Sequence, residues 1–266
     1  MLTPQAIDAA AVASFEMHRT RTRYRPLDAE IRKAPLDDAY RIQDALHQLL
    51  AKAGRGDIAG YKIALTSKAM QQMTGVDQPA AGAIFSGVVH ASPARVDVKA
   101  YHHLGVEFEV AVRVGESLPA TDGPWTRASV AARVAACMPA FELVEDGDAD
   151  YKALDAFTLV AQNTWNAGVV LGAPVTSWRD VDLERAVTRC WINDQPGGEG
   201  KTGDALGHPL EAVAWLANLL NRRGRALERG MIVMTGSSIT TKFPVPGDRI
   251  RFAIDGLGEI SLEAAR

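Results

Sequence analysis

An α+β fold is what this chain predicts, with a helical lead-in over residues 1–55 and a β-rich core over residues 56–266. Three observations carry that expectation. Apolar side chains recur at helical spacing through residues 4–52. From Gly60 onward, short runs rich in Val, Ile and Thr are separated by glycine and proline, as strands and turns require. Finally, 266 residues at 47% hydrophobic content can bury a substantial core and lie near the upper size of one domain.

In the lead-in, Pro35 and the Asp37-Asp38 pair favour a helix start, because acidic groups in a first turn face the positive end of the helix dipole. Ala39, Ile42, Leu46, Leu49 and Leu50 then form its apolar face, and the stretch from Gly54 to Gly60 ends it. Gly60-Tyr61-Lys62-Ile63-Ala64-Leu65 reads as a short strand. Val106 to Val114 reads as a longer one, with Phe108, Val110, Val112 and Val114 toward the core. Leu210, Val213, Ala214, Ala217 and Leu220 predict a second amphipathic helix, closed near Gly224, with Trp215 and Leu216 in its packing stripe. Met231–Met234 predicts a strand and Thr235–Thr241 a loop. A turn at Val245–Asp248 follows. Ile250, Phe252 and Ile254 then alternate as a half-buried strand, joined through Asp255–Gly258 to a last strand over Glu259–Leu262.

A net charge of -3 without any basic run points away from nucleic acid and anionic membranes, toward small-molecule chemistry. No segment has the apolar length of a membrane span, and the N-terminal residues lack the basic start and apolar run of a secretory signal. Cys137 and Cys190 form no CxxC motif, so they are expected to be reduced, buried thiols of a cytoplasmic protein.

Glu107 and Glu109 are two apart on the Val106–Val114 strand and share one face. Adjacent carboxylates repel unless a positive charge lies between them, so the pair fits either a hard divalent cation or a solvated sheet face. Glu142 lies at the end of the apolar run Met138–Phe141 and would complete an oxygen shell suited to magnesium or manganese. Asp146, Asp148 and Asp150 beyond it read as a solvated turn. Lys62 lies among apolar neighbours, where it either steadies a developing enolate and relays a proton or snorkels to the surface. His102 and His103 precede the acidic strand, as accessory groups to the cation or as plain loop residues. Thr235, Ser237 and Ser238 flank Gly236, where backbone amides and hydroxyls could meet a carboxylate or carbonyl oxygen. GxSxG, Walker and GxGxxG patterns are absent.

As a set these residues resemble the 2-hydroxypentadienoate (2-keto-4-pentenoate) hydratase and oxalocrotonate decarboxylase family of the fumarylacetoacetate hydrolase superfamily. The resemblance is carried by Gly60–Ser67, Gly75–Pro79, Val106–Ala111 and Leu206–Leu210 running on through Ala214–Asn218. Thr235–Ser237, Pro246–Asp248 and Gly256–Gly258 add to it. It implies a mixed β-sheet roll behind an N-terminal helical segment, with Glu107, Glu109 and Glu142 as ligands of Mg2+ or Mn2+ and Lys62 as the active-site lysine. It further implies Leu65, Ser67 and Ser237 at the substrate, and a homo-oligomer open to association with a pathway partner enzyme. The expected substrate is a small 2-oxo or 2-hydroxy-enoic acid that the metal would chelate. Water addition is the expected reaction. Decarboxylation of a dicarboxylic analogue, acylpyruvate hydrolysis and turnover-free 2-oxo acid binding are its rivals. Hydrolysis would need a base for water, and no clear His-Glu pair is visible for it. Two departures stand out. Pro79-Ala80-Ala81-Gly82 replaces the Pro-Asp-aromatic-Gly of many members, and Gly147 stands where hydratases commonly carry an arginine.

Overall fold

The computed structural model describes the whole chain, Met1–Arg266. Helix α1 (Pro4–Thr20) starts with Pro4 behind Thr3, whose hydroxyl accepts the Ala6 amide at 3.2 Å. It stops at Arg21, in the left-handed region. Helix α2 (Leu36–Leu50) begins after Pro35, as expected, and buries Ala39, Ile42, Leu46 and Leu50. The expected helical run over residues 4–52 is therefore broken. The intervening segment Arg21-Thr22-Arg23-Tyr24-Arg25-Pro26 has no apolar stripe to bury, and Tyr24 instead donates its amide to the Gly147 carbonyl at 2.7 Å.

Beyond Gly56 the chain forms β1 (Ile58–Ala64), α3 (Lys68–Thr74), β2 (Ala80–Phe85), β3 (Val89–Ala91), β4 (Ala94–Asp97) and β5 (Leu104–Val114). Then come α4 (Arg127–Ala131), β6 (Val134–Glu145), α5 (Ala156–Ala161), β7 (Asn166–Leu171), β8 (Val187–Ile192) and β9 (Gln195–Lys201). The chain ends with α6 (Pro209–Arg222), β10 (Ile232–Ser237), β11 (Arg249–Ile254) and β12 (Gly258–Ala265). One sheet has seven strands in the order β2-β1-β10-β5-β6-β7-β3, the other five in the order β4-β12-β11-β8-β9. Both are mixed, with β1–β10, β3–β7 and β4–β12 parallel. The larger sheet curls until β2 lies against β7, so it is a roll with an inner and an outer face.

Register decides which side chains enter the roll, since residues directly opposite in a sheet share a face. Lys62 pairs with Met234 and Met234 with Ala111, while Glu107 pairs with Glu142 and Glu142 with Val169. Lys62, Glu107, Glu109 and Glu142 therefore point the same way as a buried apolar plug of Ile84, Ala111, Met138, Val169, Ile232 and Met234. Phe108 and Phe141 lie on the outer face, where both meet Phe252 of the smaller sheet, at centroid distances of 5.4 and 6.1 Å.

Two of the boundaries that differ from expectation lie in the C-terminal strands. The last strand runs on to Ala265 because its end pairs with β4. Thr235–Ser237 is strand rather than loop, with the register slipping between Met234 and Ser237. A propensity reading of small polar residues misses this, because the strand is held by tertiary partners: Thr235 Oγ1 donates to the Val110 carbonyl at 2.9 Å and the Gly236 amide to Glu109 Oε2 at 2.7 Å.

Candidate metal centre

Strands β5 and β6 place Glu107 opposite Glu142, with Glu109 one pleat further along β5. One carboxylate oxygen from each of Glu107, Glu109 and Glu142 lies within 4.8 Å of the others. Glu109 and Glu142 are fully buried and Glu107 is half-buried, which removes the solvated-face reading of the acidic pair. Lys62, from β1, reaches across the roll to within 3.3 Å of Glu142 Oε1 and donates to the Thr164 carbonyl at 3.3 Å. At 4% side-chain exposure it does not snorkel.

The surrounding hydrogen bonds orient the carboxylates and leave two oxygens open. Asn166 Nδ2 donates to Glu142 Oε1 at 2.9 Å, Thr241 Oγ1 to Glu107 Oε1 at 3.0 Å, and the Gly236 amide to Glu109 Oε2. Glu109 Oε1 and Glu142 Oε2 are buried without a protein partner. Burial, reinforced for Glu109 by the charges of Glu142 and Glu107, pushes its carboxyl well above the usual range. Burial likewise raises Glu142 to about 7, against the opposing pull of Lys62. Burial alone would lower the Lys62 ammonium, but Glu142, Glu107 and Glu109 outweigh it and hold it above the ordinary lysine value. Three carboxylates thus cluster beside one ammonium, and two of their buried oxygens have no protein partner. An oxygen-only set of this kind fits a hard divalent cation, which would satisfy the orphans and offset the charge.

A cavity of about 520 Å³ opens over Lys62 and Glu107, with Leu65, Ser67, Tyr151 and Trp165 among its walls. Each residue expected at the substrate is there, and each also has a structural task. Leu65 takes φ 58°, left-handed backbone that is costly for a branched residue, and its carbonyl accepts from Gln71 Nε2 at 2.9 Å. Ser67 caps α3. The Ser237 hydroxyl accepts the Phe108 amide at 2.9 Å and donates to the Ile239 carbonyl at 2.7 Å.

Several participants were not legible beforehand. Asn163, Thr164 and Trp165 all take left-handed backbone, with φ of 58°, 47° and 61°. Asn163 locks that turn by clasping Ala83 of β2, accepting its amide at 2.7 Å and donating to its carbonyl at 2.9 Å, while His47 Nε2 lies 2.8 Å from the same Asn163 oxygen. The turn presents the Thr164 carbonyl to Lys62, and Gly82 leaves it room: a Cβ there would lie 2.2 Å from Thr164 Oγ1. Asp146 corrects the solvated-turn reading. It is 1% exposed, with Oδ1 2.6 Å from His103 Nδ1 and Oδ2 accepting the Tyr151 hydroxyl at 2.9 Å. That histidine–carboxylate pair is the one the sequence did not reveal, because its members are brought together by pairing of β5 with β6. Asp148, by contrast, is exposed and meets Arg23 at 3.2 Å. Of the two departures, Ala80 is buried opposite Ala64 on the cavity side of β2. Gly147 takes φ 61° and a Cβ there would lie 2.6 Å from the Tyr24 amide nitrogen, so this backbone has no place for an arginine.

Residues 60–263 match the family described as Fumarylacetoacetate (FAA) hydrolase C-terminal. The chain is 31% identical to a 2-keto-4-pentenoate hydratase of Paraburkholderia xenovorans over 98% of this chain and 96% of that one. It is 32% identical to a 2-hydroxyhexa-2,4-dienoate hydratase of Comamonas testosteroni over 99% of both. Among solved structures it is similar to the 4-oxalocrotonate decarboxylase from Pseudomonas putida G7 complexed with magnesium and adipate, with a TM-score of 0.92, 25% identity and 99% of each chain covered.

Proposed function

The chain belongs to the fumarylacetoacetate hydrolase family, and from that premise we propose that it is a divalent-metal-dependent lyase adding water to 2-hydroxypenta-2,4-dienoate-type acids of aromatic catabolism. One observation carries the reading: an all-oxygen trio with two orphaned buried acceptors, beside a buried lysine, where Lys62 and Glu107 border a cavity of about 520 Å³. Glu107, Glu109 and Glu142 would hold magnesium or manganese. When bound, that ion supplies Lewis acidity toward the carboxylate and C2 oxygen of a 2-oxo acid.

The chain's own residues do the rest. Lys62, fixed between Glu142 and the Thr164 carbonyl, places a positive charge where negative charge grows on the C2 oxygen as the enol and keto forms interchange. Its ammonium can hand a proton to the substrate without leaving its hydrogen bonds. Leu65 and Trp165 exclude water from the apolar part of the cavity, and Ser67 and Ser237 border it with hydroxyls. A cytoplasmic setting, in which the buried thiols of Cys137 and Cys190 stay reduced, and a homo-oligomeric assembly belong to the same reading.

Decarboxylation of a dicarboxylic 2-oxo-enoic acid is the second reading, favoured by the structural likeness to the decarboxylase. It uses the same charge stabilisation, with carbon dioxide rather than a proton leaving. An assay of 2-oxo-enoic mono- and diacids with magnesium separates the two: loss of dienol absorbance without gas release supports hydration, and carbon dioxide release supports decarboxylation. Neither signal, from protein shown to bind magnesium, would defeat both. Lys62→Ala and Glu107→Gln should abolish whichever signal is found.

A further inference from the structure

Tyr151, Asp146 and His103 form a continuous polar chain from the cavity to the surface, and nothing in the metal centre uses it. Tyr151 borders the cavity, its ring set edge-on against Trp165 at 5.9 Å. Its hydroxyl donates to Asp146 Oδ2 at 2.9 Å. Asp146 Oδ1 accepts the Asp148 amide at 2.9 Å and lies 2.6 Å from His103 Nδ1. The His103 ring stacks on Phe243 at 4.4 Å, and its side chain is 37% exposed. Glu145 accepts the backbone amides of His102 and His103 at 2.6 and 3.0 Å and so fixes that end of the chain.

The direction of these bonds matters. With the Tyr151 proton committed to Asp146, the lone pairs of Tyr151 Oη remain free to accept a proton from the cavity side. Burial, then the Asp146 charge and its hydrogen bond, then the Glu107 charge keep the phenol protonated far above neutral pH. Tyr151 is therefore a hydroxyl relay backed by a carboxylate, not a phenolate.

We propose that Tyr151 is a further catalytic residue, accepting the proton of the water that adds to the substrate, with Asp146 and His103 as positioning residues behind it. This rests on the hydratase reading above. As the water oxygen bonds to the β-carbon of the conjugated 2-oxo acid, its proton passes to Tyr151 Oη while the Tyr151 proton passes to Asp146 Oδ2. The electron pair of the carbon–carbon double bond moves onto the 2-oxo group as an enolate. Return of the proton from Asp146 through Tyr151 to the α-carbon gives the 4-hydroxy-2-oxo acid and restores every group.

The test compares the full-length enzyme with Tyr151→Phe and Asp146→Asn, all loaded with magnesium. Tyr151→Phe should lower kcat for water addition about 100-fold with little change in KM. Asp146→Asn should likewise lower kcat with KM little changed, whereas a merely structural role would raise KM as much as it lowers kcat. A second readout needs no turnover: calorimetric binding of 4-hydroxy-2-oxopentanoate against 2-oxopentanoate. The unsubstituted protein should prefer the hydroxy acid by about tenfold, and Tyr151→Phe should bind both equally. Undiminished kcat in Tyr151→Phe, or an unchanged binding ratio, overturns the assignment while leaving the hydratase reading intact. If the unsubstituted protein adds water to no dienoate, the hydratase reading falls and takes the proton step with it, whatever the binding ratio.

Discussion

At the scale of single residues, the decisive quantity is charge balance at the acidic trio. Glu109 has one oxygen held by the Gly236 amide and one, also buried, with no protein partner. Glu109→Gln should therefore have opposite effects with and without metal. In a chelator it should raise the melting temperature, because a raised, mutually repelled carboxylate is neutralised. With magnesium at about a hundred times its dissociation constant, the unsubstituted protein should gain about 2.7 kcal/mol and Glu109→Gln almost nothing. A thermal-shift titration reads both, and an equal magnesium shift in the variant would remove Glu109 from the ligand set. Lys62→Met should cost about 3–5 kcal/mol in metal-free protein, because its removal leaves the buried Glu142 without its counter-charge. Magnesium should recover part of that loss, measured by urea unfolding. Glu107, Glu109, Glu142 and Lys62 were readable as candidates from residue type and neighbours alone. Asp146 was not, since local sequence cannot distinguish an exposed turn aspartate from one folded over by Tyr151 and His103.

Among the elements, strands were legible where the alternation of side chains was itself the cause of the structure. Ile250, Phe252 and Ile254 read as one buried face and are one. The sequence fell short where an element is held by partners remote in the chain. The left-handed turn at Asn163–Trp165 exists because the Asn163 side chain bonds both backbone groups of Ala83, 80 residues away. Its formation depends on Gly82, whose missing Cβ admits Thr164. Gly82→Ala should push the turn away from β2, moving the Thr164 carbonyl off Lys62. Stability should fall by about 1–3 kcal/mol, as overpacking does, and kcat should fall more than KM rises. Chemical denaturation and steady-state kinetics check the two parts, and wild-type kcat in Gly82→Ala would show that this carbonyl does not matter to Lys62.

The whole molecule adds a pH dependence that no single element has. His47, on α2 with its ring against the turn, is 5% exposed, and burial lowers its imidazole to about 4, against the pull of its bond to Asn163. Its unfolded value is near 6.5, so over the interval from about 6.5 down to 4 the unfolded chain binds a proton that the folded one refuses. The contribution of neutral His47 to stability is complete above pH 6.5 and should be lost on acidification by about 1.4 kcal/mol per pH unit across that window. The difference in urea midpoints between the unsubstituted protein and His47→Gln from pH 7 to 4 measures it, because His18, Glu109 and Glu142 titrate alike in both; an equal pH slope in the two proteins would place the effect elsewhere. Fold class and the central acidic pair are written in the order of residues along the chain. Alternation with period two, helical spacing and the identity of ionisable side chains are properties of neighbours along the chain. That the pair faces inward beside Glu142 and Lys62, and that Asp146 backs Tyr151, is settled by folding. Those facts depend on strand register and on the curling of one sheet, which bring together groups separated by many residues and take them out of water.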